Sequence, residues 1–309
     1  APQMVDIDLD GDLDLFVGQD YDTSTFPIRG RVYFFRNIGI ENQNIFELED
    51  DSFLGDNIGN SLVPTFADID ADGDLDLFIG DYNGKIRFYR NNGDAINHNF
   101  TDEGYIDDID LGFFSIPEFC DIDNDNDYDM FVGSYSGEIY YFENIGDSEH
   151  YNFAEATSIE GLSDISRTAP RFIDLDYDFD YDLVVGTENS GLLIYWNVGN
   201  QNNHIFLKDE CIDIPFYGYN IKPWIGDIGS DYKLDLITGI STGGFLHYEI
   251  SSMGDANSDY NLDILDILII VNHIMNQYSE FIYICSIDMN HDQLLDISDI
   301  IYLLNIIMN

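Results

Sequence analysis

Aspartate-rich clusters begin at Asp6, Asp68, Asp121, Asp174 and Asp227, so successive spacings are 62, 53, 53 and 53 residues. This period limits the fold more than any single motif does, because a short unit must bury its apolar face against its neighbours. A proline stands four residues before each cluster, at Pro2, Pro64, Pro117, Pro170 and Pro223. A short apolar run ending in glycine follows, at Gly18, Gly80, Gly133, Gly186 and Gly239. Aromatic segments such as Ile86 to Asn91 come next, and Gly39, Gly93, Gly146 and Gly199 then precede Phe46, Phe100, Phe153 and Phe206 by seven residues. Each unit therefore reads as several short strands, rich in β-branched and aromatic residues and separated by Gly, Asn and Asp turns. Units of this size and all-β character fit propeller blades, and five are visible. The first is longer through an insertion around Tyr21 to Gly30, and the fifth lacks the outer segment. Five blades close as they stand, or further blades precede them.

The clusters carry the candidate chemistry. The first holds Asp6, Asp8, Asp10, Asp12 and Asp14, and the second Asp68, Asp70, Asp72, Asp74 and Asp76. Five carboxylates in nine residues repel one another unless a counter-ion is present. Side chains at positions 1, 3, 5 and 9, with a backbone carbonyl at 7, offer hard oxygen ligands that suit calcium. Glycine at position 6, Gly11 and Gly73, supports the tight turn. The third loop (Asp121, Asp123, Asp125, Asp127, Asp129) has Asn126 there, which tolerates positive φ. The fourth (Asp174, Asp176, Asp178, Asp180, Asp182) has Phe179, which is either strained there or needs a different turn. The fifth keeps Asp227, Asp231 and Asp235 but has Gly229 at position 3 and Lys233 at position 7, and no metal is expected in it.

Over residues 1–250 these units resemble the FG-GAP/VCBS repeats of calcium-bearing β-propellers, the class that includes integrin α-subunit heads. The resemblance implies an extracellular adhesion or ligand-binding scaffold in which about four calcium ions brace the blade loops.

Past Ile250 the pattern changes, and a second unit spans residues 251–309. Asp255, Asn257, Asp259, Asp263 and Asp266 occupy positions 1, 3, 5, 9 and 12 of a twelve-residue loop, with Asn261 at 7. Asp288, Asn290, Asp292, Asp296 and Asp299 repeat the pattern 33 residues later, with Leu294 at 7. These are EF-hand-like ligand positions with Asp where Glu is usual, for about two more calcium ions. Each loop runs into an apolar helix, near Asp266 to Met275 and Asp299 to Met308. The pair resembles a dockerin, a small α-helical module that in its family docks onto cohesin domains. Two departures are Tyr260 and Gln293 at position 6, where glycine is expected. The module docks a cohesin-like partner or packs only against the propeller.

Charge and motifs narrow the function. With 11 Lys+Arg against 60 Asp+Glu, a formal net charge of −49 disfavours nucleic acid and anionic bilayers and favours cations. High charge suggests disorder, but 22 Phe and 21 Tyr argue for packed structure. Cys120, Cys211 and Cys285 show no metal-type spacing, and one disulfide pair stays open. No apolar run is long enough to insert in a membrane. The chain begins at Ala1 with no basic, apolar leader, as a processed chain or a fragment would. No nucleophile elbow, Cys/His pair or phosphate-cradling loop is found, and no catalytic site is expected. His98, His150 and His204 recur before the repeat phenylalanines and read as part of the repeat, whereas His247 aligns with apolar strand positions and reads as packed.

Two residues break the repeat. Trp196 stands where other blades have Arg36, Arg90, Glu143 and Glu249, and Trp224 where they have Gln3, Thr65, Glu118 and Arg171. Polar equivalents suggest solvent-facing positions, which makes both tryptophans candidate stacking surfaces for a polysaccharide or protein ligand. The alternative is that they pack against the adjoining module or an insertion. The expected function is a secreted, calcium-dependent binding or adhesion protein. The rival is a non-catalytic part of a polysaccharide-degrading enzyme or its complex.

Overall fold

A computed structural model describes the chain except residues 21–29, 41–42, 56–57, 107–108, 160–161, 163–164, 210–219, 230–232, 240–243, 251–252, 258, 260, 277–286, 293 and 309. The Tyr21 to Gly30 insertion lies almost wholly outside the described residues, as do Cys211, Asp231, Tyr260, Cys285 and Gln293. Cys120 is a buried free thiol.

Each repeat forms one antiparallel sheet. Blade 1 contains β1 (Pro2–Val5), β2 (Asp14–Gly18), β3 (Val32–Asn37) and β4 (Phe46–Asp50), hydrogen-bonded in sequence order. Blade 2 contains β5 (Val63–Ala67), β6 (Asp76–Gly80), β7 (Ile86–Asn91) and β8 (Phe100–Tyr105). Blade 3 contains β9 (Ser115–Cys120), β10 (Asp129–Ser134), β11 (Ile139–Phe142) and β12 (Thr157–Ser158). Blade 4 contains β13 (Ala169–Ile173), β14 (Asp182–Gly186), β15 (Leu192–Asn197) and β16 (Phe206–Lys208). Blade 5 has three described strands, β17 (Lys222–Gly226), β18 (Leu234–Gly239) and β19 (Phe245–Ile250). Two helices follow, α1 (Ile264–Asn276) and α2 (Ile297–Met308), each starting two residues before its expected place. Among the described residues, no helix is long and apolar enough to cross a membrane.

The repeat positions explain how blades join. The glycine ending each second strand lies under the next blade's entry. A Cβ on Gly18, Gly80 or Gly133 would sit 2.1 Å from the carbonyl oxygen of Leu62, Ser115 or Thr168, so only glycine permits this approach. The repeat proline of the next blade seats its ring against the same spot. Between blades the core is aromatic. Cross-strand pairs Phe16–Phe34, Phe78–Phe88 and Phe131–Tyr141 stack at 4.6, 4.7 and 4.8 Å. Phe66, Phe119 and Phe172 of the following blade lean against them at 4.7, 4.3 and 4.2 Å. His98, Tyr151 and His204 then set their rings edgewise against Phe34, Phe88 and Tyr141 of the preceding blade, so His98 and His204 belong to the repeat, whereas His150 is exposed beside Asp147 and Tyr151 takes its expected place.

Five blades close the ring. Trp224 of β17 donates its indole N–H to the Met4 carbonyl of β1 at 3.1 Å and packs with Met4, Leu15 and Ile228. The expectation of a solvent-facing Trp224 is therefore corrected: it is 4% exposed. Its polar equivalents mislead because they are themselves inside, Thr65 buried and Glu118 in a buried pair with Arg171 at 2.8 Å.

At the other seam the aromatic trio is replaced by Val184, Ile194 and Ile225, and the C-terminal helices complete the core. Ile267 and Ile270 of α1, Leu303 of α2, and Met253, Ile287 and Met289 pack in one cluster with Leu192, Trp196 and Leu236 of blades 4 and 5. Trp196, expected at the surface, is also 4% exposed, because this segment covers it. Burial of both rings removes them as stacking platforms for a ligand.

Candidate functional site

Each aspartate loop joins the first and second strands of its blade, and the same local bonds shape all four. Asp6 Oδ1 and Oδ2 accept the N–H groups of Asp10 and Gly11, and Asp10 Oδ1 accepts that of Asp12. The pattern repeats with Asp68 and Asp72, with Asp121 and Asp125, and with Asp174 and Asp178. Position 6 is left-handed throughout: Gly11 at φ 94°, Gly73 at 91°, Asn126 at 73° and Phe179 at 74°. Of the two alternatives for Phe179, the loop keeps the same turn and accepts backbone strain, with a ring that is 69% exposed.

These turns bring carboxylates together. Asp6, Asp8 and Asp10 converge, as do Asp68, Asp70 and Asp72, then Asp121, Asp123 and Asp125. In blade 4 the set is Asp174, Asp176 and Asp182; in every set the oxygens lie within 4.8 Å of one another. Position 9 closes the site from the strand side. Asp14, Asp76 and Asp129 each accept a backbone N–H through Oδ1, from Asn37, Asn91 and Asn144, while the buried Oδ2 has no hydrogen-bond partner among the described residues. Burial raises all three carboxyls to about 7 and that of Asp182 to about 9. Position 7 adds a further oxygen. The side chains of Asp74, Asp127 and Asp180 turn inward with Oδ1 buried and unpartnered, although only the backbone carbonyl was expected there. Burial, reinforced by the neighbouring aspartates, raises their carboxyls to about 6, 6 and 7. Unsatisfied buried carboxylate oxygens are costly, and a hard cation would satisfy them. The donor set thus fits a metal ion.

Position 3 is treated differently from blade to blade. Arg36 of β3 bonds Asp8, and Arg90 of β7 bonds Asp70, so neither arginine is merely solvated. In blade 3 the equivalent residue is Glu143. In blade 5 the loop carboxylate Asp235 is held by the Ile228 N–H and by His247 at 2.6 Å. His247, expected to be packed, has a half-exposed side chain and serves this aspartate.

The C-terminal loops are organised by their last aspartates. Asp263 Oδ1 accepts the Leu265 N–H at the start of α1, while Asp266 Oδ2 accepts the Asp263 N–H. Asp296, Ser298 and Asp299 repeat this reciprocal cap at α2. Asp266 and Asp299 are fully buried, and each also accepts an N–H from the loop's opening residues. The spacing displayed these residues as ligand positions without revealing the cap. The converging carboxylate sets found among the described residues are those of blades 1 to 4.

Residues 6–79 match the family model for the FG-GAP-like repeat. No curated protein matches the chain. Among solved structures the chain is similar to the Photorhabdus luminescens Tc holotoxin pore (mutation TccC3-D651A), at 16% identity over 80% of this chain and 11% of that one, with a TM-score of 0.40. It is also similar to BBS1N in complex with ARL6DN, soaked with lead, at 14% identity over 62% of this chain and 55% of that one, with a TM-score of 0.34. The chain thus spans about a tenth and about half of the chains it is compared with.

Proposed function

We propose that this FG-GAP-repeat propeller is an extracellular, calcium-braced binding scaffold whose C-terminal segment carries a dockerin-like docking surface for a cohesin-like partner. The observation that carries the reading is the set of unpartnered, buried carboxylate oxygens in the blade loops, at Asp14, Asp74, Asp76, Asp127, Asp129 and Asp180. Calcium supplies the missing partner for each loop. The duplicated ligand positions at Asp255 to Asp266 and Asp288 to Asp299 support two further ions. For docking, α1 and α2 turn equivalent apolar residues outward: Ile264 with Ile297, and Leu268 with Ile301. Exposed apolar groups on a highly acidic surface are suited to a protein partner.

The propeller surface is the remaining candidate for an extracellular protein or polysaccharide ligand, now without Trp196 and Trp224. The reading of the chain as a non-catalytic part of a polysaccharide-degrading complex shares the same docking surface. The full chain is the bait for the test, because its C-terminal segment shares a core with blades 4 and 5. Capture of a cohesin-like protein from the extracellular fraction, released by chelator and lost in an Ile264→Asp, Ile297→Asp variant, is the expected result. Capture that ignores both the variant and the chelator would sink the docking assignment.

A further inference from the structure

Blade 4 lacks a contact that blades 1 and 2 make for themselves. In those blades an arginine on the third strand bonds the position-3 aspartate. Blade 4 has Trp196 at that place, and its indole donates to Asp209 at 2.5 Å. The donor to Asp176 comes instead from the C-terminal segment. His291, fourth residue of the loop that opens at Asp288, lies with Nε2 3.1 Å from Asp176 Oδ2. Its ring stacks on Trp196 at 4.2 Å and 18°. The two partners are nearly buried, with side chains 11% and 7% exposed. Met289, Leu303 and Ile287 anchor this loop in the core shared with blades 4 and 5.

We propose that His291 is a positioning residue for the blade-4 cation site, so that cation binding there and docking of the C-terminal helices are linked. The inference rests on the cation reading of the loops. A carboxylate has two oxygens; a hydrogen bond to one fixes the rotamer and aims the other. Asp176 Oδ2 is held by His291, which leaves Oδ1 turned to the loop, where it faces the Asp178 N–H at 3.3 Å. Asp180 Oδ1, buried and unpartnered, belongs to the same loop. Whatever affinity His291 adds to the cation must return as tighter docking of its own segment, because coupling between two binding events is reciprocal. Blades 1 and 2 hold their position-3 aspartate from within and carry no such link.

The test uses the full chain carrying Trp224→Phe, in which Trp196 is the only tryptophan and reports on its own surroundings. Calcium is added while Trp196 emission is followed, and calorimetry records total calcium bound. Adding His291→Ala should move the Trp196 midpoint to about 10–100-fold higher calcium, the usual loss for an outer partner of a ligand. His291→Gln keeps a donor and should restore most of that loss. Asp174→Asn with Asp178→Asn should remove the part of the response that depends on His291, and Asp288→Asn with Asp292→Asn identifies the part that comes from the ion of His291's own loop. The calcium-dependent gain of amide protection in α2 should be smaller in His291→Ala than in the parent, the remainder coming from the ion of the loop that opens α2, and His291→Gln should restore the difference.

A His291→Ala midpoint that is unchanged or lower overturns the inference, and so does a His291→Gln shift as large as that of alanine. Calcium uptake without any Trp196 response also overturns it and leaves the other loops' cation reading standing. No calcium uptake by the chain removes both.

Discussion

Replacing Trp224 tests whether five blades close the ring. The ring is 4% exposed, packs on Met4, Leu15 and Ile228, and donates across the seam to the Met4 carbonyl at 3.1 Å. Arg171 lies 5.5 Å over its face. Truncation of a buried Trp to Ala costs about 3–5 kcal/mol. An acceptor left without its donor adds about 1 kcal/mol. Since about 1 kcal/mol lowers the melting midpoint by about 2–4 °C in chains of 150–250 residues, Trp224→Ala should melt about 10 °C or more below the parent. Trp224→Phe keeps the apolar ring and loses the bond, so about 1–2 kcal/mol is expected. Circular dichroism melts of the parent and both variants, at fixed calcium, decide the matter. A Trp224→Ala midpoint within about 2 °C of the parent, equivalent to about 0.5 kcal/mol and the range of an inconsequential surface change, would show that blades 1 and 5 do not meet there.

Three other outcomes follow from the same geometry. The carboxyls of Asp14, Asp76 and Asp129, about 7 in the fold against 3.8 when free, contribute stability that is complete below about pH 4 and lost as pH rises through about 7. Melts in chelator should therefore fall across that window, and calcium, which favours the charged form, should flatten them. Gly133→Ala places a Cβ 2.1 Å from the Thr168 carbonyl, forces two blades apart and should cost about 1–3 kcal/mol in urea unfolding. Phe179→Gly relieves a left-handed residue at φ 74° and should gain about 1 kcal/mol, read as a higher melting midpoint.

The repeat made the blades legible, because glycine, proline and the apolar runs answer to demands that recur in each blade. Position 6 of the turn was readable, with Gly11, Gly73, Asn126 and Phe179 at positive φ, but the equally left-handed position 4, at Leu9, Ala71, Asn124 and Tyr177, carried no sequence signal. Trp196 and Trp224 were not legible. Aligned polar residues suggest solvent-facing positions, yet Arg36 and Arg90 reach into the aspartate loops and Glu118 is buried with Arg171. A position can be polar because it serves a buried charge, and one sequence does not separate that from exposure. His291 was hidden for a related reason. Its contact with Asp176 spans 115 residues, and neither residue's own repeat contains the other.

The proposed calcium bracing requires that cations satisfy the buried carboxylates of four blade loops. Thermal melts of the full chain at neutral pH, with excess calcium and then with excess chelator, test this most directly. Ions that bind only the folded loops stabilise the chain by mass action, so a hundredfold excess of calcium over its dissociation constant contributes about 2.7 kcal/mol per site. The midpoint should drop by well over 10 °C on chelation and return when calcium is restored. Superimposable melts would contradict the account, leaving the Asp14, Asp76 and Asp129 oxygens to be satisfied by protons alone.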